Sequence, residues 1–304
     1  MTRRLVVGTF SPSVPLRAAA RLGVLARYGL EVEERPVPSS PAQFRSLLDG
    51  ELDAALTSPD NVIAYRFVPD NPLGGTADVR IVAGVDRGLG LALYGRPGVV
   101  SAHALRGATI GVDVSASGFA LAMYALLESF GLDRDAYRVL PLGSTPRRLQ
   151  ALLSGRCDAT MLNAGNELRA EDAGALRIAS VPRPYLGTVL AMAGDRDREA
   201  VHALAAALRD TAGRIATGTA DDVVAKEAAA ALGLDGTLAV RYLDRLKDPH
   251  EGLIADGSVD LPALEAAIAL RRRHLPGGRG GGDALTGALD PSRGLFDLPA
   301  ANAR

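Results

Sequence analysis

Apolar positions along the chain follow two rhythms, and the order in which they alternate occurs twice. Leu5-Val6-Val7-Gly8 is a short continuous apolar run, the pattern of a buried strand. A serine-bearing loop follows, then apolar residues at helical spacing from about Pro15 to Tyr28, closed by Gly29-Leu30. A second strand is predicted at about Glu31–Val37. Ser40-Pro41 then opens a helix, with a hydroxyl as N-cap and proline at the first helical position, where its missing N–H costs nothing. Gln43 completes a capping box with Ser40 in this reading. Gly50 ends the helix, and an Ala-rich apolar strand begins after it.

The same order returns one unit later. Residues 40–56 and 145–161 align without a gap, with six identical residues in register: Pro41/Pro146, Leu47/Leu152, Leu48/Leu153, Gly50/Gly155, Asp53/Asp158 and Ala54/Ala159. Upstream, Thr109 to Val112 reads as a strand, Phe119 to Phe130 as a helix closed by Gly131-Leu132, and Tyr137–Leu142 as a second strand. Both halves are βαβαβ units, which predicts an α/β fold of two lobes, each a parallel sheet covered by helices.

Apolar segments at Val79–Val85, Gly90–Tyr94 and Leu186–Met192 suit strands that carry the chain across a hinge and back. From Asp195 to about Leu275 the rhythm is helical, around 197–216, 221–232, 237–246 and 261–274. This division gives a discontinuous first lobe, 1–86 plus 192–275, and a second lobe, 87–191. The segment 276–304 opens with Gly277-Gly278-Arg279-Gly280-Gly281-Gly282 and is expected to be a flexible linker with a mobile or loosely docked tail.

Ligands of open α/β sheets bind beyond the carboxyl ends of the strands. Four loops qualify, carrying Ser11 and Ser13, then Ser58, Asp60 and Asn61, then Ser115, Ser117 and Gly118, and lastly Asn163 and Asn166. These residue types also favour caps and turns wherever they occur, so symmetry supports the set more than any single member. Two of the loops lead into helices whose free N–H groups favour an anionic or strongly polar group. Gly118 would let a ligand approach the backbone closely. Arg87, at the first crossing, is a candidate for a two-pronged contact with an acid group, and equally for a hinge pair with Asp86. Tyr185 lies just before the return crossing. Asp60 and Asp86 argue against a purely anionic ligand and for a zwitterion, or for a hydroxylated or amine-bearing molecule.

Composition narrows the rest. A net charge of −1 gives no reason to expect nucleic acid or an anionic membrane as partner. The chain has no tryptophan and few other aromatics, so a stacking platform for bases is not expected. One cysteine excludes an intrachain disulfide, four scattered histidines show no ligand spacing, and no phosphate-binding glycine loop is present. No metal or cofactor is implied. No run approaches the roughly 20 apolar residues of a membrane span, so no membrane insertion is expected. The N-terminus lacks the apolar core of a leader, which predicts a cytoplasmic protein as written, and an extracytoplasmic one only if a leader had been removed.

With these residues in place, the chain resembles the type II periplasmic binding fold, in its taurine, nitrate and alkanesulfonate group. That group also includes the pyrimidine-precursor synthases of thiamine biosynthesis. The carrying motifs are Gly29-Leu30, Leu47-Leu48-Asp49-Gly50-Glu51-Leu52-Asp53-Ala54-Ala55, and Leu105-Arg106-Gly107 before Thr109-Ile110-Gly111. Gly252-Leu253-Ile254 and the stretch Leu264 to Arg271 resemble the group's C-terminal helical segment. The likeness covers about residues 4–275 and implies binding by the four loops in a cleft that closes on a hinge.

Two functions follow from it. As a solute-binding protein the chain captures a small polar molecule, anionic or zwitterionic, and if exported hands it to an ABC transporter permease. As a cytoplasmic enzyme of the same fold, lyase-, decarboxylase- or desulfinase-like, it uses cleft carboxylates as acid or base. Asp60, Asp86 and Glu167 are then the catalytic candidates, with Tyr185 as donor. Binding ranks first, because fold alone licenses no reaction.

Overall fold

Each half of the sequence builds a sheet of the same strand order. In the computed structural model, which describes residues 2–275 and 277–299, the first sheet runs β2-β1-β3-β10-β4 and the second β7-β6-β8-β5-β9. The first contains β1 (Arg3–Thr9), β2 (Leu30–Pro36), β3 (Ala54–Thr57), β4 (Val79–Asp86) and β10 (Thr188–Ala193). The second contains β5 (Ala92–Gly95), β6 (Thr109–Val112), β7 (Arg138–Pro141), β8 (Ala159–Leu162) and β9 (Leu176–Ser180). In both, the one strand antiparallel to its two neighbours is the strand that follows a crossing, β10 in the first and β5 in the second. The sheets are therefore mixed rather than wholly parallel, because a chain entering from the other lobe arrives at the opposite end.

The repeat persists in side-chain detail. Asp53 accepts the N–H of Val6 at 2.6 Å, and Asp158 accepts that of Thr109 at 2.8 Å, so each aspartate ties the third strand of its unit to the first. Helix α3 (Ser40–Asp49) and helix α6 (Thr145–Leu153) follow the second strands. Their N-caps are Ser39 and Ser144, one residue earlier than predicted, with the prolines in the first turn. Gln43 forms no capping box. It turns inward and donates its amide to the carbonyls of Gly8 and Leu56 at 3.0 and 3.2 Å.

The remaining helices cover the sheets. The predicted helix from Pro15 to Tyr28 is broken into α1 (Val14–Arg21) and α2 (Val24–Arg27) by Gly23, which takes a left-handed φ of 68°. Helices α4 (Pro59–Phe67), α5 (Gly118–Ser129) and α7 (Asn166–Asp172) lead out of the strand ends. Helices α8 (Arg198–Ala216), α9 (Asp221–Leu232), α10 (Gly236–Lys247) and α11 (Leu261–His274) form the C-terminal part.

Helix α11 spans the two lobes. Ala263, Leu264 and Ile268 pack into the core of the first, whereas Leu270 and Leu275 pack against that of the second. The chain beyond it, expected to be mobile or loosely docked, returns to the first lobe instead. Leu285, Ala288 and Leu295 are buried in that core, and Ile81 exchanges main-chain hydrogen bonds with Leu295 and Asp297 on the open edge of β4. Asp297 accepts two hydrogen bonds from Arg198. The apolar residues at 285, 288 and 295 supply the burial that composition alone, dominated by glycine, concealed. Pro276 and residues 300–304 of that predicted tail lie outside the described residues.

The hinge is made of close approaches. Gly88, Leu89 and Gly90 all have positive φ, and a Cβ on Gly187 would lie 2.3 Å from Asp86 Oδ1. The loop at 251–253 is bonded to the crossing, with Arg87 and Leu89 N–H donating to the carbonyls of Gly252 and Glu251. Behind it Arg245 pairs with Glu251 and stands 3.9 Å from Glu167. Glu167 is fully buried, and its carboxylate lies near the N–H groups of Gly165 and Glu167 without good hydrogen-bond geometry.

The docked tail and the buried glutamate each have a measurable effect on stability. Leu295→Ala lowers stability by about 2–5 kcal/mol, the usual range for such a core truncation, read by urea unfolding; a loosely attached tail would leave the midpoint where it was. Burial raises the Glu167 carboxyl from 4.5 to about 7. The folded state therefore holds a proton that the unfolded chain releases, and stability falls as pH rises between those values. Glu167→Gln is expected to flatten that fall in thermal melts taken from about pH 4.5 to 8. An unaltered slope would assign it to other groups, such as Asp86.

Candidate functional site

The carboxyl ends of the strands in both sheets face one another across a cleft. About 100 Å³ within it admits the centre of a water-sized sphere. The lobes are in contact around it. Ser144 N–H donates to the Pro38 carbonyl at 3.0 Å, and Asn166 Nδ2 to Ser11 Oγ at 3.2 Å. A Cβ on Gly118 would stand 2.8 Å from Ser58 Oγ and from Asp60 Cβ on the other lobe. This is a closed arrangement.

Of the residues expected from sequence, Ser11, Ser13, Ser58, Asn61, Ser117, Gly118 and Asn163 line the cleft, together with Asp86. Ser13 and Ser117 are also N-caps, accepting from Leu16 and Ala120 N–H. Asn166 stands beside the cleft as an interlobe donor, whereas Ser115 is exposed. Arg87 turns away and donates to the Leu253 carbonyl, which fits its hinge reading. Asp60 is buried against Arg271 of α11, whose Nε and Nη2 reach its two oxygens at 2.9 and 2.6 Å. The same guanidinium donates to the Ala116 carbonyl of the second lobe. Tyr185 faces a separate apolar groove between α5, α11 and the return crossing. Glu167 lies behind the hinge. The four acid–base candidates are thus dispersed among a salt bridge, a hinge, a groove and the cleft.

Three charged groups occupy the cleft wall. Asp86 accepts the Gly88 N–H at 2.7 Å. Burial pushes it up to about 6, against hydrogen bonds from the Thr188 hydroxyl and from the N–H groups of Gly88 and Thr188. Asp113, directly after β6, is also raised by burial, against the field of Arg148 and hydrogen bonds from Ser40 across the interlobe gap. Arg148, on α6, is 2% exposed and pushed down to about 10 by burial, with Asp113 acting the other way. Its guanidinium donates to the carbonyls of Gly143 and Met161 and to Thr145 Oγ1.

Sequence reasoning missed Arg148 and Asp113, though signals for both existed. Arg148 occupies the repeat position of Gln43, and the two side chains bond equivalent carbonyls, Met161 and Leu56. A polar residue on the buried face of both helices marks this position, and only the second copy carries charge. Asp113 sits at the end of a strand, two residues before the loop singled out there. Cys157 is buried, and its thiol is pushed up to about 11 by desolvation.

The chain matches a family described as "ABC transporter, phosphonate, periplasmic substrate-binding protein" over residues 24–240. No curated protein sequence matches it. Among solved structures, a protein from Bordetella bronchiseptica RB50 is similar with a TM-score of 0.76 and 18% identity, covering 99% of this chain and 95% of the other. The alkanesulfonate-binding protein SsuA from Xanthomonas axonopodis pv. citri, bound to MOPS, is similar with a TM-score of 0.72 and 16% identity, covering 93% and 98%. A DszB point mutant in complex with biphenyl-2-sulfinic acid gives 0.59 and 18%, covering 90% and 93%. At such identities these likenesses establish the fold, that of periplasmic binding proteins. The family match also corrects the expected cytoplasmic location, because the family is periplasmic and its members serve ABC importers outside the cytoplasm. The chain belongs to the phosphonate-type periplasmic substrate-binding proteins of ABC transporters.

Proposed function

We propose that the protein captures a small solute bearing an acid group, such as a phosphonate or sulfonate, and presents it to an ABC permease. The observation that carries this reading is Arg148, a buried guanidinium and, among the described residues, the one cation on the wall of a closed cleft whose other polar lining residues are hydroxyls, amides and the carboxylates of Asp86 and Asp113. A buried cation with main-chain carbonyls for neighbours gains from an anionic ligand oxygen. The second lobe also offers the N-terminus of α5, whose first turn starts at Ser117 and Gly118 on the cleft wall. On the first lobe the matching end of α1 is already served by the protein, since Glu34 accepts the Ser13 N–H at 2.6 Å and the Thr9 hydroxyl at 2.9 Å. The acid group is therefore assigned to the second lobe.

The enzyme alternative has less support. Asp60 is neutralised by Arg271, and Glu167 and Tyr185 stand away from the cleft. Asp86 faces the cleft but holds the hinge crossing.

Ligand identity is tested by denaturing the purified protein and analysing the released small molecule by mass spectrometry, then screening phosphonates and sulfonates by thermal shift. A stabilising ligand recovered unchanged supports capture; turnover of an added compound would sink it. Closure is tested with Gly118→Val. The added side chain meets Ser58 and Asp60 only when the lobes are shut, so the variant is expected to bind at least about tenfold more weakly, as a cost of about 1.4 kcal/mol implies. The ligand-induced compaction measured by X-ray scattering should disappear, with unliganded stability little changed.

A further inference from the structure

One ion pair inside the molecule is shared by both lobes and the docked tail. Asp60, in the first turn of α4, and Arg271, near the end of α11, have side chains only 3% and 4% exposed. Every nitrogen of the guanidinium is engaged. Nε and Nη2 reach the two Asp60 oxygens, Nη2 also donates to the Ala116 carbonyl at 3.0 Å, and Nη1 to the Arg279 carbonyl at 3.2 Å. Those acceptors belong to the first lobe, the second lobe and the start of the tail. Asp60 itself lies against the second lobe, since a Cβ on Gly118 would stand 2.8 Å from Asp60 Cβ. Parting the lobes therefore separates the guanidinium from either Asp60 or Ala116 and lets water reach a pair that closure had dried. A buried pair of this kind is costly to desolvate and holds only while its hydrogen bonds are complete.

We propose that Arg271 is the closure latch of the protein: its bridge from Asp60 to the Ala116 carbonyl forms as the lobes shut and makes closure and the setting of loop 115–118 one event. That loop contains Ser117, the N-cap of α5, and Gly118, both on the cleft wall. Arg271 does not line the cleft and acts on it through the loop, as a positioning residue. The Arg279 carbonyl gives the guanidinium a fixed base on the tail. Arginine suits the task, because its planar fork meets a carboxylate with two nitrogens and still offers donors to two carbonyls, whereas an ammonium is a single point charge. The inference rests on the reading of a cleft that closes over a ligand, and not on the ligand's chemistry.

Closure is measured without any ligand by trapping it. Asn166 Nδ2 and Ser11 Oγ meet between the lobes, so Ser11→Cys with Asn166→Cys brings two thiols together only in the closed form, where a short bifunctional thiol reagent joins them. The native Cys157 is buried. In that background Asp60→Asn removes the charge that balances Arg271. Opening hydrates the unpaired guanidinium, so the trapping rate is expected to fall at least about tenfold. A second variant, Asp60→Leu with Arg271→Met, replaces the pair by apolar side chains, an exchange that buried ion pairs commonly tolerate. It leaves the Ala116 carbonyl without a donor whenever the lobes shut. This variant is expected to keep the circular dichroism and urea midpoint of its parent while trapping slowly. A pair with a structural role alone would lower the midpoint and leave trapping of the folded fraction unchanged. Trapping within about twofold of the parent rate in either folded variant overturns the latch. Loss of the fold in both also overturns it, because the pair would then serve the lobes rather than their closure. Failure of phosphonates and sulfonates to bind counts against the capture reading alone, since the trapping experiment contains neither.

Discussion

The crossing between the sheets constrains everything around it. Gly88, Leu89 and Gly90 turn the chain through three successive residues of positive φ, and Leu89 does so with a side chain, at φ 47°. That conformation costs roughly 1–2 kcal/mol for a residue with a Cβ. Its neighbours hold it there: the Glu251 carbonyl accepts from Leu89 N–H, and Ala164 N–H donates to the Leu89 carbonyl. Gly187, just before the returning strand, fits against Asp86 only because it lacks a side chain. The hinge is thus built from both lobes and the C-terminal part together, and the positions of the four cleft loops follow from it.

Charge is distributed by the same geometry. Asp86 at the hinge and Glu34 in the first lobe are engaged by protein donors, whereas the second lobe contributes Arg148 and an incompletely satisfied Asp113 to the cleft. Burial explains the directions of their shifts: it disfavours charge, lifting Asp86 and Asp113 and lowering Arg148. The hinge side of the cleft is set to hold shape, and the second lobe to meet a ligand.

How much of this was legible depended on the range of the interaction. The two βαβαβ units and the helix stops at Gly50 and Gly155 are local signals, and they appear where the repeat placed them. The side chains of Asp60 and Arg87 could not be placed in that way. Their partners, Arg271 and the Leu253 carbonyl, lie 211 and 166 residues away, beyond any periodicity. Gln43 had a plausible local partner in Ser40 and a stronger distant one in the main chain of β1 and β3. The docked tail was hidden because glycine content speaks of backbone freedom, while three spaced apolar residues decide where that backbone rests.

The shared strand order has a consequence for synthesis. The second sheet is drawn from one uninterrupted stretch, from β5 at Ala92 to β9 at Ser180, so all its strands exist once that stretch has emerged. The first sheet is not complete at that point. β10 lies between β3 and β4, and until Thr188–Ala193 is made those two strands have no common neighbour and the sheet stays split. The amino-terminal lobe, although translated first, must therefore finish second, with two apolar strand edges waiting during the interval. Chains that pair late across long separations fold slowly and expose such edges to aggregation. The lobe whose strands emerge first is the one with the greater need of protection.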